Sequence, residues 1–276
     1  MRGQCMAGGA AMARTGSEDT LAQGSFVRAL RAEALKSRHG APVRLAIVLA
    51  LPFPLLAAFV ALSVPQFGLS YSPWNYWYAL LMPVSITLIA ATVANADARL
   101  GNHTLLSSGV PLPLEWGAKV AWCLALLLLS NLVVFAVYAV MSLVVTQGAA
   151  SMSAMLAVAL ALTVMGSWMI PATHFLTMRV GMLAGVFVPL AVQLALSLGW
   201  SVVPFWPACP PAATIVLPTA FLPVLPSGEP ASPGMALVES ISQGPDVALA
   251  LIVAAVLTAV LTAAGAVWLD RSEELR

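Results

Sequence analysis

Six runs of apolar residues, each about the length of a bilayer crossing, constrain this chain more than any other feature. They lie at about 45–64, 77–94, 120–145, 154–170, 180–200 and 247–269. A helix rises about 1.5 Å per residue, so twenty residues cover the roughly 30 Å of hydrocarbon. Lipid offers no partner to backbone N–H and C=O groups, and helices close those bonds within each run. Composition agrees: hydrophobic residues make up 61% and charged residues 8%, where soluble domains are about a quarter charged. The expected fold class is an all-α membrane protein with six transmembrane helices.

Charge predicts sidedness. With six crossings and both termini inside, all twelve Lys and Arg fall on one side, among them Lys119, Arg179 and Arg271. The outer segments carry only Glu229, Glu239 and Asp246. A seventh crossing would move Arg271 and Arg276 outside, so the positive-inside rule favours six. Residues 1–24 lack the apolar core of a signal peptide and read as a disordered tail, with Met6 and Met12 as alternative starts. Residues 25–276 read as one six-span domain. Within 25–44, Phe26, Leu30 and Ala34 share one helical face while Arg28, Arg31 and Lys36 lie on others. That pattern predicts an amphipathic helix on the inner membrane surface.

Two interruptions stand out. Residues 95–119, NADARLGNHTLLSSGVPLPLEWGAK, read as a turn-rich start, a short helical piece and a second turn at Pro111 and Pro113. A mere connector needs only a handful of residues. Contact with another chain is one reading, and a solvated loop with an interfacial Trp is the plainer one. Residues 201–245 hold ten of the twenty prolines. Their apolar piece at 212–224, broken by Pro218 and Pro223, is too short to cross and predicts a re-entrant or surface segment between helices five and six. Trp74, Tyr76, Trp77 and Tyr78 read as an aromatic belt at the lipid interface.

Chemistry is sparse along the runs. None has a charged residue at its middle, which disfavours a gradient-driven transporter. Ser85, Thr87, Thr92, Asn131, Gln193, Thr258 and Thr262 read as interhelical hydrogen-bonding groups, and Gly181 with Gly185 as close helix packing. Cys5, Cys123 and Cys209 are too scattered for a disulfide framework or a metal site. His39, His103 and His174 fall in cytoplasmic or boundary segments, and no GxSxG, HExxH or phosphate-binding loop is present. No catalytic, cofactor or metal residue is therefore assigned.

A basic surface helix before six spans, a long second-to-third loop and a broken outer segment together resemble the permease subunit of type-2 ABC exporters, and within them the lantibiotic (bacteriocin) immunity permeases. The resemblance runs from residue 25 to 269. RALRAEALKSRH, HTLLSSGVPLPLEWGAK and HFLTMRVGMLAGVFVP carry it, with PFWPACPP and FLPVLPSG in the outer segment. It implies a bacterial cytoplasmic membrane protein that expels an amphipathic peptide or lipid-like substrate such as a lantibiotic. ATP would be bound by a separate subunit and not by this chain; the other partners are a second permease, of the same chain or a sister, and membrane lipids. No nucleic acid is implied. In such permeases the second-to-third loop forms a coupling helix, which places Leu105, Leu106, Glu115 and Trp116 on the ATPase-facing surface. Arg99 and Lys119 are that loop's only bases, fewer than the family usually has. Trp206, Phe221 and Glu229 become the candidate outer lid. Export of a drug or lipid, and a non-transporting membrane scaffold, are the alternatives.

Overall fold

The computed structural model describes residues 26–38, 40–98, 111–232, 234–242 and 245–274. Among them there is no strand, only one antiparallel bridge between Val224 and Pro230. Helix α1 covers 26–37. The first apolar run is two helices, α2 (Ala41–Val48) and α3 (Pro52–Ser63). Pro52 lacks the N–H that would continue the ladder, and the chain turns at 49–51 before it resumes. The second run opens with α4 (Ser72–Tyr76), passes through a π-helical turn at Trp77–Leu81 and continues as α5 (Met82–Ala98). The wider turn sits directly before Pro83, where a proline would otherwise collide with the preceding turn.

Next come α6 (Leu112–Val144), α7 (Met152–Gly166), α8 (Met169–Arg179) and α9 (Met182–Leu198). The Pro-rich stretch folds into short pieces, of which α10 (Pro210–Val216) and α11 (Ala236–Ser242) are helical, and α12 (Asp246–Glu274) ends the described chain. Among the described residues, five stretches are long and apolar enough to cross a membrane: Ala41–Ser63, Ser72–Ala96, Leu112–Val144, Met152–Arg179 and Asp246–Arg271. Met182–Leu198 is a shorter apolar helix. This is an all-α, multi-pass membrane protein.

Lys119 meets Glu33 of α1, and Trp116 on α6 meets His174 on α8 and Thr262 on α12. Thus α1, Lys119, Arg179 and Arg271 share a basic end of the bundle, while Glu229, Glu239 and Asp246 belong to the segments at the acidic end. The Met152–Arg179 stretch is central, 67% of its most apolar window being buried, whereas only 11% is buried for Asp246–Arg271. Ile252, Val256, Val260 and Val267 of α12 are exposed, as expected of a lipid-facing helix.

Several expectations change here. Trp74, Trp77 and Tyr78 are fully buried and only Tyr76 is exposed, so the aromatics form a core and not a belt. Tyr71 stacks on Tyr138 with centroids 5.2 Å apart, and Trp74 lies 4.7 Å from Tyr138. Tyr71 also accepts the Ala150 N–H at 2.7 Å; burial nonetheless pushes its phenol above the usual value near 10.

The mild polar groups divide in two, apart from Ser85, whose buried hydroxyl meets no hydrogen-bond partner among the described residues and so makes no interhelical bond there. Asn131 bonds Trp77 and Thr163, Gln193 donates to the Pro211 carbonyl at 3.5 Å, and Thr258 meets Ser167 at 2.6 Å. Thr87, Thr92 and Thr262 instead bond carbonyls of their own helices. Gly185 is a close packing point, since a Cβ there would meet Thr177 and lie 3.0 Å from the Thr173 carbonyl. Gly181 has open space but φ +129°. Its role is the reversal between α8 and α9, a backbone shape L-residues rarely adopt.

The Pro-rich segment is seated inside the bundle. All seven residues of α10 are buried, as are Leu217, Pro218 and Thr219, packed against α7, α9 and α12. Pro210 and Pro211 occupy the first turn of α10, where the missing N–H groups cost nothing. Asn75 Nδ2 donates to the carbonyls of Leu225 and Pro226 at 3.3 and 3.4 Å, tying the turn that follows to the start of the second run.

Candidate functional site

The basic end contains a charge cluster that the sequence reading missed. Glu33 on α1 and Lys119 on α6 are 3% and 4% exposed, and Lys119 Nζ donates to Glu33 Oε1 at 2.8 Å. Lys36, one helical turn along, reaches the same oxygen at 2.9 Å. Two ammonium groups therefore share one carboxylate, which offsets the desolvation of a buried pair better than a single contact would. Phe26 lies against Gly117, with 3.6 Å from its ring to the position of an added Cβ. α1 is thus docked on α6 by an ion pair and an aromatic contact.

One turn beyond Lys119, Cys123 Sγ lies 3.6 Å from His174 Nε2. The His174 ring meets Trp116 edge-on, centroids 5.7 Å apart. Trp116 Nε1 donates to the Thr262 carbonyl at 3.0 Å, and its indole fills the space where Gly265 has no side chain. α1, α6, α8 and α12 therefore meet at one polar knot. Cysteine beside histidine is the raw material of a nucleophile and a base; here both are buried, and among the described residues no group of three His, Cys, Asp or Glu could hold a metal ion.

Of the residues singled out in the sequence, Leu105 and Leu106 lie outside the described residues. Leu112 to Lys119 are helix and not loop. Trp116 and Glu115 are 1% and 6% exposed and face the bundle, so neither offers surface to a partner in this conformation. Lys119 is likewise taken up by Glu33 and is not a loop base. PATHFLTMR is α8 and not a connector, and His174 is 1% exposed. A sequence signal existed for the pair: Glu33 is the one acid in an otherwise basic segment, and Lys119 stands directly before the third apolar run.

At the acidic end, Trp206 and Phe221 are half-buried and pack against a buried cluster that includes Ala161, Met165, Leu217 and Ala254. Phe221, Leu222 and Thr219 line an open cleft of about 340 Å³ with Ser151, Ala154 and Val238. Glu229 is exposed on the adjoining turn, 3.5 Å from the Ser227 hydroxyl. Trp206 is not among the residues lining the cleft.

The chain matches no family model, no curated protein and no solved structure.

Proposed function

We propose that this chain is the permease subunit of an ATP-driven exporter in a bacterial cytoplasmic membrane, with six crossings, Met182–Leu198 being the fifth, and both termini cytoplasmic. The carrying observation is the continuity on the far side of residues 99–110: from Leu112 the chain runs as one 33-residue helix, locked near its start to α1 by the buried Glu33–Lys119 pair. A push on the loop by an ATP-hydrolysing subunit would move that helix and α1 as one lever. Gly265 and Trp116 would pass the motion to α12. The half-buried Phe221 at the outer cleft supports an amphipathic peptide or lipid-like substrate such as a lantibiotic, expelled outward. A second permease, identical or a sister, would complete the pathway.

The test is co-purification with an ATP-binding subunit expressed beside it, using Leu105→Asp/Leu106→Asp. A buried leucine is worth about 1.5–3 kcal/mol, so the double change should release the subunit or abolish substrate-stimulated hydrolysis. An intact complex with unchanged stimulation would leave residues 99–110 as a connector and favour the scaffold reading.

A further inference from the structure

α1 is docked through Glu33 and Phe26 on α6. Successive residues turn about 100° on a helix, so Val27, Arg28, Arg31, Leu35 and Arg38 share an arc of about 100° on the side away from Glu33. All five are exposed, Val27 at 62% and Leu35 at 60%. The buried line is Ala29, Glu33 and Ser37. The best apolar stripe, Phe26, Leu30 and Ala34, is only half-buried. The rotation of α1 is therefore set by Glu33, whose buried carboxylate is held by the Lys119 and Lys36 ammonium groups. Its effect is to present two large aliphatic side chains and three guanidinium groups together on the outward face.

Position decides what that face meets. The helix ends just before Ala41, where the first apolar stretch begins, and that stretch exposes Val48, Leu55, Leu56 and Phe59 as a lipid-facing wall. Residues just ahead of it stand at the level where hydrocarbon gives way to headgroups. Aliphatic side chains interspersed with arginines suit that layer, the former entering the acyl boundary and the latter pairing with phosphates. We infer that Val27, Arg28, Arg31, Leu35 and Arg38 form a binding face for anionic phospholipid, aimed at the headgroup layer by the Glu33–Lys119 pair. This face requires no ATP-binding partner.

The experiment is native mass spectrometry of the purified full chain, titrated with phosphatidylglycerol and with phosphatidylcholine of the same acyl chains. Phosphatidylglycerol should bind several-fold more tightly, and Arg31→Gln/Arg38→Gln should remove about tenfold of its affinity. Arg179→Gln, an exposed base at the same end, should leave it unchanged. Glu33→Gln separates aim from charge: it makes the chain more positive, so bulk attraction predicts tighter binding, whereas loss of aim predicts weaker binding. Equal binding of the two lipids, an equal loss in Arg179→Gln, or tighter binding in Glu33→Gln would overturn the inference. The lipid titration uses the chain alone, so failure to capture an ATP-binding subunit bears only on the exporter reading.

Discussion

Trp77 Nε1 donates to Asn131 Oδ1 at 3.1 Å, and Asn131 Nδ2 donates in turn to Thr163 Oγ1 at 3.1 Å. One amide thus joins the π-helical turn, α6 and α7 in the middle of the apolar core. Thr163 completes the chain by donating to its own helix at the Ala159 carbonyl. Asn131→Leu should leave the indole N–H buried and unpaired, at about 1–3 kcal/mol. A thermal unfolding midpoint in detergent that falls in Asn131→Leu and partly recovers in Asn131→Leu/Trp77→Phe is the expected pattern.

Removing one partner of the ion pair should be worse than removing both. Lys119→Met leaves Glu33 with Lys36, and Glu33→Gln takes the Glu33 carboxylate from buried Lys119; losing one partner of such a pair costs about 3–5 kcal/mol. The double variant should recover much of that loss. Unfolding midpoints of the three proteins, purified in the same detergent, check it.

Gly265 leaves no room for a side chain beside Trp116. Gly265→Val should drive the indole away from the Thr262 carbonyl and His174, costing about 1–3 kcal/mol as overpacking. A shift in tryptophan emission accompanying a lower midpoint would locate the disturbance there; an unchanged spectrum would mean α12 yields instead.

Tyr71 predicts an alkaline sensitivity. Its folded-state proton is held more tightly than in the unfolded chain, where a phenol loses it near pH 10. The stability this contributes is present below that unfolded value and is lost as pH rises past it. Tyr71→Phe should lower stability by about 1 kcal/mol at neutral pH, through loss of the acceptor for Ala150. It should also flatten the fall above pH 10, read as unfolding midpoints across that range.

The six-crossing arrangement makes a direct labelling prediction. A membrane-impermeant thiol reagent added outside intact cells should modify Ser227→Cys, an exposed position on the acidic end, and should spare Ser107→Cys. Modification of Ser107→Cys from outside would reverse the topology.

Legibility differed by type of interaction. The apolar runs could be read because lipid demands long uncharged helices whatever their neighbours, and the proline-broken 212–224 piece because its backbone cannot close as one helix. Where Trp74, Trp77, Tyr78 and Trp116 would sit could not be read. An aromatic suits an interface and a core equally in composition, and only the neighbouring Tyr138, Asn131 and Gly265 settle the matter. Gly181 and Gly185 show the same limit: one motif, two physical roles.

The sequence by itself determined a multi-pass helical membrane protein, its apolar stretches and the broken segment ahead of the last of them, because those follow from local hydrophobicity and backbone hydrogen bonding. Tertiary structure alone decided that Glu33 would face Lys119 across 86 residues, that Cys123 would meet His174, and that α10 would lie buried. Such pairings depend on which helix faces are turned toward one another. That choice is made by desolvation of a few charged and polar groups, and no local pattern records it.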